Sequence, residues 1–198
     1  MKKWLPIIII LGIILLAGAY LASLNNRLVP LDENVSAQWG NVESAYQRRA
    51  DLIPNIVNTA KGYAEFEQST LIKVTEARSK ATSIQIDPSN ITPAQLQQFQ
   101  QAQQGLTSAL SRLLAVFERY PDLKANENFK ELINELERTE NRINVERNRF
   151  NEAAKGLNVE IKKYPAKLFA GMLGFDERAY FKADEGAQDA PEVEFDFN

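Results

Sequence analysis

The chain of 198 residues contains neither histidine nor cysteine. This absence excludes an imidazole general base, a thiolate nucleophile, a disulfide bond and a zinc site with Cys or His ligands. A di-iron site of the ferritin type is excluded as well, because it needs a Glu-x-x-His step on a helix. We therefore predict no catalytic residues, no metal, no cofactor and no small-molecule substrate, and we expect that the protein is not an enzyme.

Charges of the two signs are nearly balanced, with 23 Lys and Arg residues against 26 Asp and Glu residues. Six of the acids lie in Asp184–Asn198, which contains no base, so the rest of the chain carries a net charge of +3. A surplus of this size, spread along the chain, is too small for a nucleic-acid-binding surface. No nucleic-acid partner is expected.

Charge is absent from Trp4–Asn26, and the 18 residues of Ile7–Leu24 are nearly all apolar. As a helix these residues span about 27 Å, which is close to the thickness of the hydrocarbon core of a bilayer. We predict a transmembrane helix at residues 7–25, preceded by a short N-terminus at residues 1–6.

The flanks of this segment bear on whether it is a retained anchor or a cleaved secretory signal. Lys2 and Lys3, followed by the small residues Ala17–Ala19, are typical of a cleavable signal. Trp4 and Tyr20, by contrast, lie where interfacial aromatic residues anchor a span, and the apolar run continues beyond the small residues. We favour a retained single-pass anchor. By the positive-inside rule, the lysines keep the N-terminus in the cytoplasm and place the rest of the chain outside it.

Downstream of the span, apolar residues recur at steps of three and four residues, which is the pattern of amphipathic helices. The first helix is expected from Glu33 to about Lys80. Because Pro54 removes a backbone hydrogen bond, a kink or break is expected near Leu52-Ile53.

Proline and asparagine mark the limits of the helices that follow. Thr92 and Pro93 are a cap and a first helical residue, and Pro121 ends this second helix. A third helix begins after Asn126 and is closed by Pro165. A short fourth helix is expected between that proline and the tail.

The predicted fold is all-α, with an N-terminal transmembrane helix followed by an elongated antiparallel helical bundle of three long helices plus a short fourth. The bundle comprises residues 26–182, and residues 183–198 form an acidic extended tail. The span is expected to run straight into the first helix of the bundle. Apolar spacing close to 3.5 residues also permits coiled-coil packing, within the chain or between copies.

Several motifs, in their order and spacing, resemble those of the LemA family. They are Gln47–Asn55, Lys61–Tyr63, Arg112–Val116, Tyr120–Asn126, Thr139–Ile143, Gly174–Phe175 and Tyr180–Ala187, followed by Pro191 and Val193. The resemblance implies a protein of the bacterial inner membrane with a single N-terminal crossing, a helical bundle and no established catalytic activity. The short N-terminus of the family has often been predicted to lie outside the cell. The two lysines favour the opposite orientation, with the bundle on the periplasmic side.

Charged residues one turn before the proline of the first helix are expected to meet charged residues of the third helix. The members of this cluster are Arg48, Arg49, Asp51, Pro54, Glu140 and Arg142. Arginine binds carboxylates in bidentate fashion, so the cluster could recognise a partner or an anionic group. The alternative, which we favour, is a structural network that satisfies backbone groups freed by the proline.

Two further segments are candidate contact surfaces. The first is an apolar segment that contains Leu168, Phe169, Met172, Leu173 and Phe175. It could dock on its own bundle, which we favour, insert shallowly into a membrane interface, or join subunits. The second is the tail, where apolar residues alternate with acids: Val193, Phe195 and Phe197. These could add as a strand to the sheet of a partner, although solvated acidic tails are commoner.

Together these features predict a membrane-anchored protein that acts through homo-oligomeric assembly, as an envelope scaffold or an organiser of the membrane. The anchor raises the local concentration, and long helices with coiled-coil spacing can pair between copies. The alternative is an adaptor or regulator of a membrane protease or signalling partner, which would be recognised through the charged cluster or the tail.

Overall fold

The computed structural model describes residues 4–62 and 67–182. Within these ranges the regular structure is entirely helical, which confirms the predicted all-α fold. The α-helices are α1 (Leu5–Lys61), α2 (Gln68–Thr82), α3 (Pro93–Phe117), α4 (Pro121–Ala125) and α5 (Glu127–Lys162).

The longest element is α1, whose 57 residues correspond to about 86 Å of helix. As predicted, the apolar N-terminal segment runs into the bundle without interruption. The large apolar side chains from Ile7 to Leu16 are exposed. Among the described residues, α1 is the one helix that is long and apolar enough to cross a membrane, judged by length and composition.

The bundle packs on α1 before the end of the predicted span. Leu24 is fully buried in the core, and Tyr20 packs against that core. The ring of Tyr20 lies 6.0 Å from the ring of Phe169, which follows α5. The bundle therefore packs against the last residues of the expected span at residues 7–25, although the bundle itself is expected only from residue 26 onward.

No break occurs near Leu52-Ile53, so of the expected kink or break, the break is wrong. Instead, α1 continues through Pro54 and ends at Lys61. The expected single helix is divided later, because α2 begins only at Gln68. A proline inside a helix removes one hydrogen bond, but buried isoleucines flank this one, and their packing holds the helical geometry.

The start signals of the later helices are confirmed. Thr92 forms a capping box with Gln95, in which each side chain accepts a hydrogen bond from the backbone N–H of the other residue. Asn126 caps α5 by accepting a hydrogen bond from the backbone N–H of Phe129 at 3.0 Å. These caps satisfy N–H groups that have no partner inside the first helical turn.

The long helices pair in antiparallel fashion. Trp39 of α1 contacts Phe150 of α5, and Arg48, further along α1, contacts Glu135, which lies earlier in α5. In the same way α2 lies against α3, where Gln103 donates a hydrogen bond to the backbone carbonyl of Ala81. The bundle therefore has α1 and α5 along its whole length and α2 and α3 beside them.

The buried apolar residues of the described ranges form two cores. The proximal core, nearer to the N-terminal apolar segment, includes Trp39 and Phe150, and the distal core includes Ile56 and Phe129. Arg49 lies between the two cores along α1 and is also buried.

The short fourth helix expected before the tail takes the form of two 3₁₀ helices, Ala166–Leu168 and Gly171–Leu173. Gly174 follows with φ of 83°, in the left-handed region that side chains disfavour. Residues 175–182 then run without regular secondary structure alongside α5.

Candidate functional site

The centre of the predicted charged cluster is Arg49, whose side chain is only 1% exposed. Its Nη1 donates to Oε2 of Glu140 at 2.7 Å and to the hydroxyl of Thr107 at 3.0 Å. Its Nη2 donates to Oε1 of Gln103 at 2.7 Å. The structure thus joins α1, α3 and α5 through one guanidinium group.

These four side chains form a polar layer between the proximal and distal cores: Arg49, Gln103, Thr107 and Glu140. On α1, Tyr46 of the proximal core lies before this layer and Ile53 of the distal core lies after it. A buried charge is tolerated only where its partners satisfy it, because removing it from water is costly. The layer therefore fixes the register of the helices, since each must bring its polar partner to the same height.

The neighbouring Arg48 is exposed and forms a surface pair. It donates to Glu135 at 2.7 Å, and Arg138 lies 2.8 Å from the other oxygen of that carboxylate. Hydrogen bonds from these two arginines hold the pKa of Glu135 below its ordinary value. A lowered pKa means that these contacts stabilise the fold above the ordinary carboxyl pKa, and that this stability is lost as the pH falls through the lowered value.

Pro54 leaves the backbone carbonyl of Ala50 without its helical N–H donor, because proline has no amide hydrogen. Nε of Arg78, on α2, donates to that carbonyl at 2.7 Å. Asp51 lies 3.9 Å from the same arginine and accepts a hydrogen bond from Gln47. Sequence reasoning did not single out Arg78, since helical spacing identifies the freed carbonyl but not the distant donor that reaches it.

Arg142 is not joined to Arg49. Its Nε lies 2.5 Å from Oε1 of Glu146, a carboxylate that is almost completely buried, and Arg149 donates to the same oxygen at 3.0 Å. Glu146 was missed in the sequence, although its i,i+4 and i,i+3 spacing to the two arginines is the pattern of helical ion pairs.

A cleft of about 1160 Å³ lies beside the polar layer. Its charged lining carries both signs: Glu43, Arg48, Asp51, Glu135, Arg138 and Arg142. At one end, burial raises the pKa of Glu43. In residues 4–62 and 67–182, no group of three or more potential ligand side chains is placed to hold a metal ion. The cleft presents mixed charge suited to a polar peptide segment or to water.

The predicted apolar contact segment is divided between the core and the surface. Phe175 is buried, and Phe169 and Leu173 pack against the proximal core. Leu168 and Met172 point outward and are 62% and 80% exposed.

Two asparagines one heptad apart hold the chain after this segment on α5. Asn158 donates to the carbonyl of Arg178 and accepts from its N–H, both at 2.8 Å. Asn151 makes the same pair of hydrogen bonds with Phe181. Arg178 in turn donates to Asp32 of α1 at 2.6 Å. Sequence reasoning missed these asparagine–backbone hydrogen bonds. The available signal was asparagine on the inner face of an amphipathic helix.

The candidate tail residues Val193, Phe195 and Phe197 lie outside the described residues. Their proposed contact with a partner remains a prediction.

Comparisons with known proteins agree with the resemblance seen in the sequence. Magnetosome proteins MamQ 1 and MamQ 2 of Paramagnetospirillum magneticum are each 28% identical to this chain over 185 residues, covering 84% of this chain and 67% of the relative. Protein LemA of Metamycoplasma hominis is 27% identical over 160 residues, covering 81% of this chain and 69% of the relative. The LemA family profile matches residues 38–195, which is well over half of the chain. The chain therefore belongs to the LemA family.

Proposed function

We propose that this chain is a membrane-anchored, non-enzymatic protein that assembles with copies of itself, and that the assembly scaffolds envelope proteins or organises the membrane. The exposed apolar half of the N-terminal segment supports a single crossing of the bacterial inner membrane. The lysines before the span support a bundle on the periplasmic side.

The observation that best supports self-assembly is an open face along the pair of helices α1 and α5. Val29 of α1 and Val159 of α5 remain exposed on the surface of the bundle. Between the two helices runs a shallow groove whose lining includes Pro30, Leu31, Gly156 and Val159. Gly156 has open space where a side chain would be, so the backbone of another helix can approach α5 closely.

The charges that line this groove suit a second copy of the chain. Arg27 and Lys155 are basic, whereas Glu152 is acidic, and none of the three has an ion-pair partner within the described residues. In a two-fold interface the same patch meets itself, so each acid can face a base of the other copy. A groove with both signs is therefore self-complementary.

The continuity of α1 adds to this argument. Because one helix forms both the span and the bundle wall, the anchor restricts the orientation of the bundle and raises its local concentration in the membrane plane. Weak lateral contacts along the open face are then sufficient for assembly.

A single cysteine at this face tests the proposal, since the chain has no cysteine of its own. We expect a Val159→Cys chain in membranes to form a disulfide-linked dimer under mild oxidation, because a two-fold axis along the groove brings the two copies of this position together. The readout is the dimer band on a non-reducing gel.

The matched control is Ile72→Cys on α2, which is also an exposed aliphatic position but lies on another face. Cross-linking at both positions to the same extent would indicate random collision and would argue against a defined interface. The absence of a dimer at position 159 would refute assembly through this face.

The second candidate function, an adaptor for another membrane protein, is favoured by the mixed-charge cleft beside Arg48 and Asp51. An adaptor predicts that the cleft variants Arg48→Glu and Asp51→Lys lose a co-purifying partner while cross-linking at position 159 is unchanged. The scaffold hypothesis predicts that co-purifying partners are lost only in variants that also lose self-assembly.

A further inference from the structure

We propose that residues 164–173, the tip of the bundle, are embedded in the lipid interface of the membrane that α1 crosses. The bundle then begins within the outer edge of the bilayer and not above it. The proposal rests on the membrane anchoring described above and adds the depth at which the bundle lies.

The free length of α1 sets this depth. Among the residues of α1 whose side chains the structure describes, Tyr20 is the first to pack against the bundle, and the segment before it begins at Trp4 and ends at Ala19. Those residues span about 24 Å of helix, whereas the hydrocarbon core of a bilayer is about 30 Å thick. With Trp4 at one interface, the opposite edge of the core lies near Leu24. Any tilt of the helix shortens its projection and draws the bundle deeper.

The tip lies at the level of this opposite edge. α5 ends at Lys162, and the chain continues towards the membrane until Phe169 stacks edge-on against Tyr20, with ring centroids 6.0 Å apart. The next contact of α1 with the proximal core is at Leu24. The segment around Phe169 is therefore held, by its contact with the span, inside the edge of the hydrocarbon core.

The outward side chains of the tip suit lipid. Tyr164, Leu168 and Met172 are 75%, 62% and 80% exposed. They are thus among the most exposed large apolar or aromatic side chains outside the apolar N-terminal segment. A tyrosine beside aliphatic residues is the composition found at the boundary between headgroups and acyl chains.

The charge of the tip suits a headgroup layer with negative charge. Residues 164–173 contain one base, Lys167, and no acid, whereas Lys162 and Lys163, which precede them, form ion pairs with Glu177 and Glu160. Lys167 lies over the ring of Tyr164, 6.0 Å from its centroid, so the cation sits next to the aromatic anchor. Basic residues at this level are attracted to anionic lipids, and their long side chains reach from a buried backbone to the headgroups.

Spin labels at single cysteines in the full chain measure the depth directly. The chain is placed in vesicles of phosphatidylcholine and phosphatidylglycerol, and a nitroxide is attached to Leu168→Cys or Met172→Cys. We expect several-fold fewer collisions with a water-soluble nickel chelate at these positions than at Ile72→Cys in α2, together with more collisions with oxygen, which concentrates in lipid. Leu15→Cys, in the middle of the exposed apolar segment, gives the reference for full burial in lipid.

The outcomes separate this proposal from the anchoring on which it rests. If both tip positions are as open to the nickel chelate as position 72 while position 15 is protected, the anchor stands and the embedded tip is refuted. If position 15 is also open to the chelate, the anchor itself fails and the tip with it. Protection of the tip from both nickel and oxygen would mean that protein covers it, which also overturns a lipid contact.

Discussion

Replacement of Arg49 by methionine is expected to lower the free energy of unfolding of the bundle by about 3 kcal/mol. Methionine fills a similar volume but donates no hydrogen bonds, so Gln103 and Glu140 lose their partner at the boundary between the two cores. For a domain of this size, the loss corresponds to a fall of about 10 °C in the melting temperature. Circular dichroism of the full chain in mild detergent measures it.

The matched control for this variant is Arg48→Met, at the neighbouring position. Arg48 is 70% exposed, and its partner Glu135 keeps a second arginine, Arg138. We expect a loss of less than about 1 kcal/mol. The pKa of Glu135 should rise towards its ordinary value, because the hydrogen bond from Arg48 is the main cause of its lowering. Equal stability of the two variants would contradict the role assigned to Arg49.

Replacement of Trp39 by alanine is expected to cost about 3–5 kcal/mol, the range seen when a large aromatic side chain is removed from a core. The indole is fully buried, and its ring lies 5.3 Å from Phe99, 5.5 Å from Phe150 and 6.0 Å from Phe181. These rings belong to α3, α5 and the segment after α5. The variant should therefore loosen the attachment of that segment, which hydrogen exchange around Phe181 detects.

The only other tryptophan provides the control. Trp4 precedes α1 and is exposed, so Trp4→Ala should leave the melting temperature of the bundle unchanged. Trp39→Phe keeps an aromatic ring in the core and should lose less than half of the stability lost by Trp39→Ala. If Trp39→Ala had the same melting temperature as Trp4→Ala, the proximal core would not depend on the Trp39 side chain.

Much of this fold follows from local rules. The apolar period predicts the long helices, and the cap residues Thr92 and Asn126 predict where α3 and α5 begin, because capping depends on residues within one turn. The continuity of the span with the bundle does not follow from local rules alone, because Pro30 lies between them and α1 nevertheless continues through it.

The place where the expected first helix is divided, between α1 and α2, could not be predicted in the same way. Pro30 and Pro54 carry the strongest local breaking signals in α1, yet the helix continues through both. At Pro54 it is supported by contacts distant in sequence, among them Arg78 on the carbonyl of Ala50. Tertiary packing overrides local propensity at such a position. Sequence reasoning about one helix has no access to that packing.

The candidate site shows the same limit. The sequence predicted that Arg49 and Glu140 belong to one cluster, because both lie near facing positions of long helices. It did not show that Arg48 faces solvent while Arg49 is buried, since that depends on the exact rotation of α1 about its axis. It likewise gave no sign that Gln103, within a glutamine-rich stretch, would complete the polar layer.

Native mass spectrometry of the full chain ejected from lipid nanodiscs tests the central claim most directly, because one spectrum reports both chain length and copy number. A self-assembling protein with a retained anchor gives complexes at multiples of the intact mass of 22.4 kDa. Single copies only, at membrane-like protein densities, or a chain shortened to begin after Ala19, would contradict it.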